Sequence, residues 1–255
     1  MNKKLTSWEG RHIWIIGASK GIGAATARLL LDRGAYVAVS ARSQEELELM
    51  YGEQPHALAA SLDITSHDSV IRARDQIMSV WPRMDLILVV AGTYNEMRAE
   101  SFSLSTANHI IDVNLRGVFN CIDATLPVLL KQRDGGIGIV ASVAGFGGLP
   151  KALVYGPTKA ALINLSESLY LDLRPMGINV YQINPGFVDT PLTAGNDFKM
   201  PALITAGEAA HEIVRGIEKG RFHIHFPKRF TRTLLVLSLL PYRLYFWLVH
   251  RITGL

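Results

Sequence analysis

A tyrosine and a lysine stand four residues apart in Tyr155-Gly156-Pro157-Thr158-Lys159, followed by the helix-forming run Ala160-Ala161-Leu162. Four residues is close to one helical turn, so the two side chains share a face. A phenol with a pKa of about 10 is a poor proton donor and a poor base near neutrality. An ammonium one turn away favours the phenolate, and Lys159 is expected to bring the Tyr155 pKa toward the working range. The pair could then give a proton to a reacting oxygen or take one from it. The same spacing also arises on ordinary solvated helix faces, so the reading depends on what else in the chain converges on these residues.

A second group lies near the N-terminus, in Ile16-Gly17-Ala18-Ser19-Lys20-Gly21-Ile22-Gly23. Glycines at this spacing, after a strand and before a helix, permit a tight turn and close backbone approach to a pyrophosphate. The helix N-terminus that follows favours an anion. An ordinary glycine-rich turn is the plain alternative, and the strand–turn–helix setting favours a dinucleotide site. The next strand ends in Ser40-Ala41-Arg42, with no carboxylate to hold a ribose 2′-hydroxyl. Arg42, with Lys20 in the glycine turn, can instead pair with a 2′-phosphate, so NADP(H) is expected over NAD(H).

These groups need a scaffold that brings residues 17–23 and 155–159 together. Short β-branched apolar runs at 12–16, 36–39, 56–59, 86–90, 137–140, 179–183 and 222–226 read as strands. Most are nearly continuous apolar runs, as in strands covered on both faces. Helical patterns lie between them near 21–33, 43–51, 66–81, 103–133, 155–174 and 206–219. This alternation predicts an α/β fold, a doubly wound parallel sheet of the Rossmann-like kind, as a single domain over 1–227 followed by a hydrophobic and basic tail over 228–255.

With these pieces in order, the chain resembles the classical short-chain dehydrogenases/reductases over nearly the whole domain. The glycine turn, Asn114, Ser142, Tyr155, Lys159 and Pro185-Gly186 stand in the family's order and at its usual spacing. The resemblance implies a hydride exchange between NADP(H) and a carbonyl or alcohol. Tyr155 would act as the acid or base, assisted by Lys159, with Ser142 on the same substrate oxygen and Asn114 holding a water chain to the pair. It further implies cofactor contacts from Gly17, Ser19, Lys20, Gly21, Ile22 and Arg42, from Asp63 and Ile64 beside the adenine, and from Ala91 and Gly92. Tyr155 and Lys159, the Pro185-Gly186 turn, Val188 and Thr190 would complete the set. A homodimer or homotetramer follows from the same resemblance, through the helices near 103–133 and 155–174. Two departures stand out. Ile16 replaces the family's usual Thr, and Val89-Val90 replaces its usual paired Asn. Both remove polar groups that tie cofactor loops to the sheet, which predicts looser loops. A cofactor-binding scaffold or sensor with little turnover is the alternative that these departures support.

Substrate choice is expected in 144–149, with Phe146 and Leu149, in 93–99, and in 187–202, with Leu192, Phe198 and Met200. An apolar or mixed pocket follows, suited to a ketone or a lipid-like 3-oxo compound. The composition excludes several other classes. The net charge is only +4, from 26 basic and 22 acidic residues, and no basic aromatic-interleaved stretch suggests nucleic acid. The single cysteine, Cys121, cannot form an intrachain disulfide and reads as a small core residue in a reducing compartment. His223 and His225 alternate on one strand face without further ligands nearby, so no metal is expected. Residues 1–8 lack the apolar core of a signal peptide, which places the chain in the cytoplasm.

The tail joins Lys228-Arg229-Phe230-Thr231-Arg232 to a leucine-rich run, then Pro241 and an aromatic segment containing Arg243. Pro241 and Arg243 argue against a straight membrane-spanning helix. Cations mixed with Leu, Tyr, Phe and Trp suit a segment lying in a membrane interface, at the inner face of a membrane. A tail covering the active site or a neighbouring subunit is the other reading.

Overall fold

The computed structural model describes residues 1–195 and 200–254. Seven strands form one parallel sheet: β1 (His12–Ile16), β2 (Tyr36–Ser40), β3 (Ala57–Ala59), β4 (Leu86–Val89), β5 (Gly136–Val140), β6 (Asn179–Pro185) and β9 (His223–Phe226). The order is β3-β2-β1-β4-β5-β6-β9. A second, two-stranded pairing joins β7 (Val188–Asp189) to β8 (Ile204–Thr205). The order reverses between β1 and β4, and a crevice opens at the carboxyl ends of the strands there.

Alternation along each strand builds two cores. Trp14, Ile16, Ile87, Val89, Ile137 and Ile139 point to one face, against α3 (His67–Val80), α5 (Gly117–Gln132) and α6 (Tyr155–Leu173). Ile13, Ile15, Val37, Val39, Leu88 and Ile183 point to the other, against α1 (Gly21–Leu31), α2 (Gln44–Tyr51) and α7 (Ala206–Glu218). Each such fully buried side chain contributes roughly 1.5–3 kcal/mol. Cys121 is buried in the first of these cores. Ser43, Ser66 and Thr205 start α2, α3 and α7 by accepting a bond from the N3 amide, and Glu208 completes a capping box with Thr205.

The helix expected over 103–133 is interrupted. α4 (Leu104–Ile111) passes through a π-helical turn at Asp112–Arg116 before α5 begins. Gly117, at the end of that turn, lets the helix approach Ile64: a Cβ there would stand 2.8 Å from Ile64 Cγ1. Leu104–Gln132 is long and apolar enough to cross a membrane by length and composition alone, with a mean hydropathy of 1.2. α5 contributes Val118, Cys121, Ala124 and Leu129 to the first core, so the stretch is accounted for as a core helix.

The tail forms two helices, α8 (Lys228–Ser238) and α9 (Tyr242–Thr253), with Pro241 at the N-cap of the second.

Candidate active site

The glycine turn leaves β1 with Gly17 at φ 97°, a conformation that favours glycine. A Cβ on Gly17 would stand 2.6 Å from the Ala91 amide nitrogen, and one on Gly23 would meet the Gly17 carbonyl oxygen at 2.0 Å. Gly21 is also left-handed, and its missing side chain admits Thr190, whose Cγ2 lies 3.0 Å from the Cβ position. The turn after β6 and the glycine turn therefore close on each other. α1 starts without a side-chain cap and without an acidic residue in its first turn, so its amides face the cleft with an uncompensated positive dipole end.

Ile16 and Val90 offer no side-chain bond to the cofactor loops, and backbone groups tie these loops to the sheet. The amides of Val90 and Ala91 both donate to the Ile16 carbonyl, at 2.9 and 2.8 Å, and those of Gly17 and Ala18 both donate to the Ser40 carbonyl. Tyr51, the buried last residue of α2, donates its hydroxyl to the Ala18 carbonyl at 2.7 Å. Backbone groups and a distant tyrosine supply ties where the side chains at 16 and 90 cannot.

A single cleft of about 1020 Å³ collects the residues named from the sequence. Gly17, Ser19, Lys20, Gly21, Ile22, Arg42, Asp63, Ile64, Ala91, Gly92, Ser142, Tyr155, Lys159, Pro185, Gly186, Val188 and Thr190 all line it. Asn114 is fully buried just behind the wall. Lys20 and Arg42 are exposed on the rim. Asp63 accepts bonds from the Thr65 amide and hydroxyl, and these hold its carboxyl below the usual range, with Arg42 and His109 adding to the effect.

At the other end of the cleft, Ser142 ends the segment after β5 and accepts a bond from the Ala144 amide at 3.1 Å. Its side chain is also hydrogen-bonded to the Tyr155 hydroxyl. Lys159, one turn along α6 and buried, donates to the Val140 carbonyl at 3.0 Å, with its Nζ 5.5 Å from the Tyr155 ring centre. Asn114 sits in the π-turn, where the widened helix turns its side chain onto residue 93: its Oδ1 accepts from the Thr93 amide at 2.7 Å, and its Nδ2 donates to the Thr93 carbonyl at 2.8 Å. Gly92 lies between the groups. A Cβ there would be 3.4 Å from Asn114 Oδ1 and 3.5 Å from Lys159 Nζ.

The electrostatics differ from the sequence expectation in one respect. Burial raises the Tyr155 phenol to about 12, and the Ser142 hydrogen bond only partly opposes it. Burial also lowers the Lys159 ammonium to about 8. Desolvation outweighs the attraction between ammonium and phenolate that spacing alone suggested. The phenol therefore holds its proton at neutral pH, while Lys159 titrates close to it. Tyr155 keeps part of its surface open to the cleft, so its proton can reach a bound molecule.

Other residues at the site were not singled out from the sequence, although Tyr94 lies in the 93–99 segment expected to choose the substrate. Tyr94 packs edge-on against Tyr155 with ring centres 5.1 Å apart. It belongs to a wall made by residues 93–97 and 151–153, joined by the Met97–Ala152 bridge and the Glu96–Lys151 ion pair at 3.0 Å. Glu46, His109 and Asp112 also line the cleft. Glu46 is a carboxylate on the same stretch of the cleft wall as Arg42 that the Ser40-Ala41-Arg42 reading did not include. An edge-packed tyrosine and a helix-borne acid have no fixed spacing from the motifs, so only the folded chain reveals them. Of the substrate-loop residues, Leu192 lines the cleft and Phe146 lies beside His223, at 6.0 Å between ring centres. Phe198 lies outside the described residues.

Residues 11–200 match the short chain dehydrogenase family. The chain belongs to that family. An uncharacterized oxidoreductase of Staphylococcus epidermidis is 33% identical over 201 residues, covering 78% of this chain and 87% of the relative. Among solved structures, a 3-ketoacyl-(acyl-carrier-protein) reductase from Brucella melitensis complexed with NADH superposes with a TM-score of 0.79 at 24% identity, over 86% of this chain and 98% of that one. ElxO with NADP bound gives 0.77 at 22% identity, over 85% and 97%. At these identities the two structures establish the shared fold. As a short chain dehydrogenase the protein is an oxidoreductase of carbonyl and CH–OH groups that uses a nicotinamide dinucleotide. The cradle fits such a group: three glycines stand where any Cβ would crowd the backbone or Thr190, and an uncapped helix start faces the cleft.

Proposed function

We propose that the protein is an NADP(H)-preferring carbonyl reductase or alcohol dehydrogenase acting on an apolar or lipid-like substrate such as a ketone or 3-oxo compound. The observation that carries this reading is the convergence of the Ser142–Tyr155 hydrogen bond and the buried Lys159 on one end of the cleft whose other end is the glycine cradle. The cofactor, when bound, supplies or accepts the hydride. Residues 17–22 would hold its pyrophosphate, Asp63 and Ile64 its adenine, and Ala91, Gly92, Pro185, Gly186, Val188 and Thr190 its remaining length. Lys20 and Arg42 on the rim support the 2′-phosphate, because they are the cations that reach this part of the cleft among its lining residues.

In the reducing direction Tyr155, protonated at neutral pH, donates from its hydroxyl to the substrate oxygen. Ser142 donates to the same oxygen and stabilises the charge that develops there. Lys159 sits one turn below, where its positive charge counters the phenolate left behind. Asn114, held to Thr93 by both polar atoms, fixes the π-turn beside Gly92; a water chain past it would bring a proton from solvent by way of Lys159 to the Tyr155 phenolate. Tyr94, packed edge-on against Tyr155, limits how the carbonyl can lie against it. We further assign a homo-oligomer in the cytoplasm, with the tail at the inner face of a membrane. A screen of ketones and long-chain 3-oxo compounds, following NADPH consumption by its near-ultraviolet absorbance, tests the reading. Turnover of apolar carbonyls with NADPH is expected, and turnover only of charged or sugar-phosphate substrates would overturn it.

A further inference from the structure

From Lys219 to its end the sequence has seven lysines and arginines and no aspartate or glutamate. The same stretch concentrates exposed apolar surface. Of the twenty large hydrophobic side chains exposed among the described residues, seven lie between Val236 and Ile252. Leu239 is 84% exposed, Tyr242 79% and Trp247 54%. Arg232, Arg243 and Arg251 are exposed among them, and the Arg251 guanidinium lies 5.5 Å from the Trp247 ring centre.

Other side chains of the two helices are fastened to the catalytic body. Phe230 of α8 packs 5.5 Å from Phe187, and its ring lies 3.0 Å from the Cβ position of Gly186. Thr231 is hydrogen-bonded to His225 at 2.6 Å. Tyr245 of α9 donates to the Gly148 carbonyl at 2.8 Å, and its hydroxyl occupies the space where a side chain on Gly147 would stand. The two helices thus hold the turn after β6 and the 144–149 loop, which flank the substrate end of the cleft. Neither can span a bilayer: 11 and 12 residues give about 17–18 Å against a hydrocarbon thickness of about 30 Å.

We propose that α8 and α9 dock flat on an anionic lipid surface and so hold the substrate end of the cleft at the bilayer. The inference deepens the carbonyl-reductase reading by giving its substrate a source, an amphiphilic carbonyl or alcohol delivered from the membrane. Charge selects the occupant. Apolar side chains ringed by cations with no acid match a negative lipid surface. A second copy of this chain would set Arg243 and Arg251 against a tail with the same charges.

Trp247 provides a reporter, because Trp8, Trp14 and Trp81 are buried. The full-length protein would be titrated with vesicles of phosphatidylcholine alone and of phosphatidylcholine with phosphatidylglycerol, reading cosedimentation and tryptophan emission. Binding roughly 100-fold tighter to the anionic vesicles is expected, from about fivefold for each of three cations. A blue shift should accompany it. Leu239→Ser with Trp247→Ser should abolish cosedimentation, and Arg243→Glu with Arg251→Glu should remove the preference for anionic lipid. Equal binding to both vesicles, no binding, or unchanged binding by the charge-reversed variant would overturn the proposal. So would a dimer that both variants convert to monomer while vesicle binding stays as it was. Turnover separates the two readings. A short water-soluble ketone should be reduced equally by all variants, whereas a long-chain ketone in anionic vesicles should be reduced several-fold faster by the unaltered protein alone. Vesicle binding with no turnover of any carbonyl would sink the reductase reading and leave the docking in place; turnover without vesicle binding would do the reverse.

Discussion

Replacing Arg42 by alanine should convert cofactor preference into a measurable ratio. Arg42 stands exposed on the rim of the cleft with Lys20, and its charge reaches Asp63. A monophosphate carries about −1.5 to −2 charges near neutrality. A unit charge pair about 4 Å apart is worth about 1 kcal/mol in water and about 4 kcal/mol at a protein surface of intermediate dielectric. Arg42 lies toward the first of these limits because it is exposed, and Glu46 on the same wall opposes it. The net loss on removing Arg42 is therefore ~1–2 kcal/mol, or roughly 5- to 30-fold in the Kd for NADPH. NADH, which lacks the phosphate, should bind the variant within about twofold of the unaltered protein. Calorimetric titration of both cofactors at low and high salt measures this, and the NADPH penalty should shrink as screening increases. Equal weakening of NADPH and NADH, or a change below twofold for NADPH, would refute the assignment of Arg42 to the 2′-phosphate.

Three further outcomes follow from the geometry. Burial and the charges of Lys228, His223, Arg232 and Arg221 lower His225 from 6.5 to about 4, so the unfolded chain binds the extra proton between those values. Stability should thus be complete above pH 6.5 and fall as pH drops toward 4. The loss is ~1–2 kcal/mol, discounted because the ring is only half-buried, and thermal melts of His225→Gln should show a flatter acid limb. Gly17→Ala forces a side chain at φ 97° to within 2.6 Å of the Ala91 amide nitrogen, which should cost ~1–3 kcal/mol in urea unfolding and weaken both cofactors alike. Lys159, at about 8, should give the reductive rate an alkaline limb, because the ammonium that counters the phenolate is lost as pH rises through that value. Lys159→Met should lower the rate roughly 100-fold or more and leave a pH profile without that limb.

Much of the fold was legible because both covering layers left their mark on the strands. Runs such as Ile13-Trp14-Ile15-Ile16 and Leu86-Ile87-Leu88-Val89 are apolar on both sides, and the parallel sheet places them between two cores. The helical patterns at 43–51, 66–81 and 206–219 match helices that the structure starts behind the capping side chains of Ser43, Ser66 and Thr205. The π-turn at Asp112–Arg116 was not legible, since one added residue per turn barely disturbs an apolar pattern. The two-residue strands β7 and β8 were too short to show a period. At the site, the structure brings the residues tied to a motif to one cleft, because turn geometry fixes their spacing. Tyr94 and Tyr51 have no such fixed spacing, because one reaches Tyr155 and the other Ala18 through tertiary packing alone. The Tyr155 pKa was misjudged for a related reason: spacing reports the nearby ammonium but not the depth at which both groups are buried.

Tyr155→Phe tests the central claim most directly, because it removes one hydroxyl, the atom assigned to proton transfer, and leaves the ring packed against Tyr94. NADPH binding should stay within about twofold, while reduction of any carbonyl turned over by the unaltered protein should fall roughly 100- to 10,000-fold. Turnover within tenfold of the original, with binding intact, would contradict the assignment of Tyr155 as the proton donor.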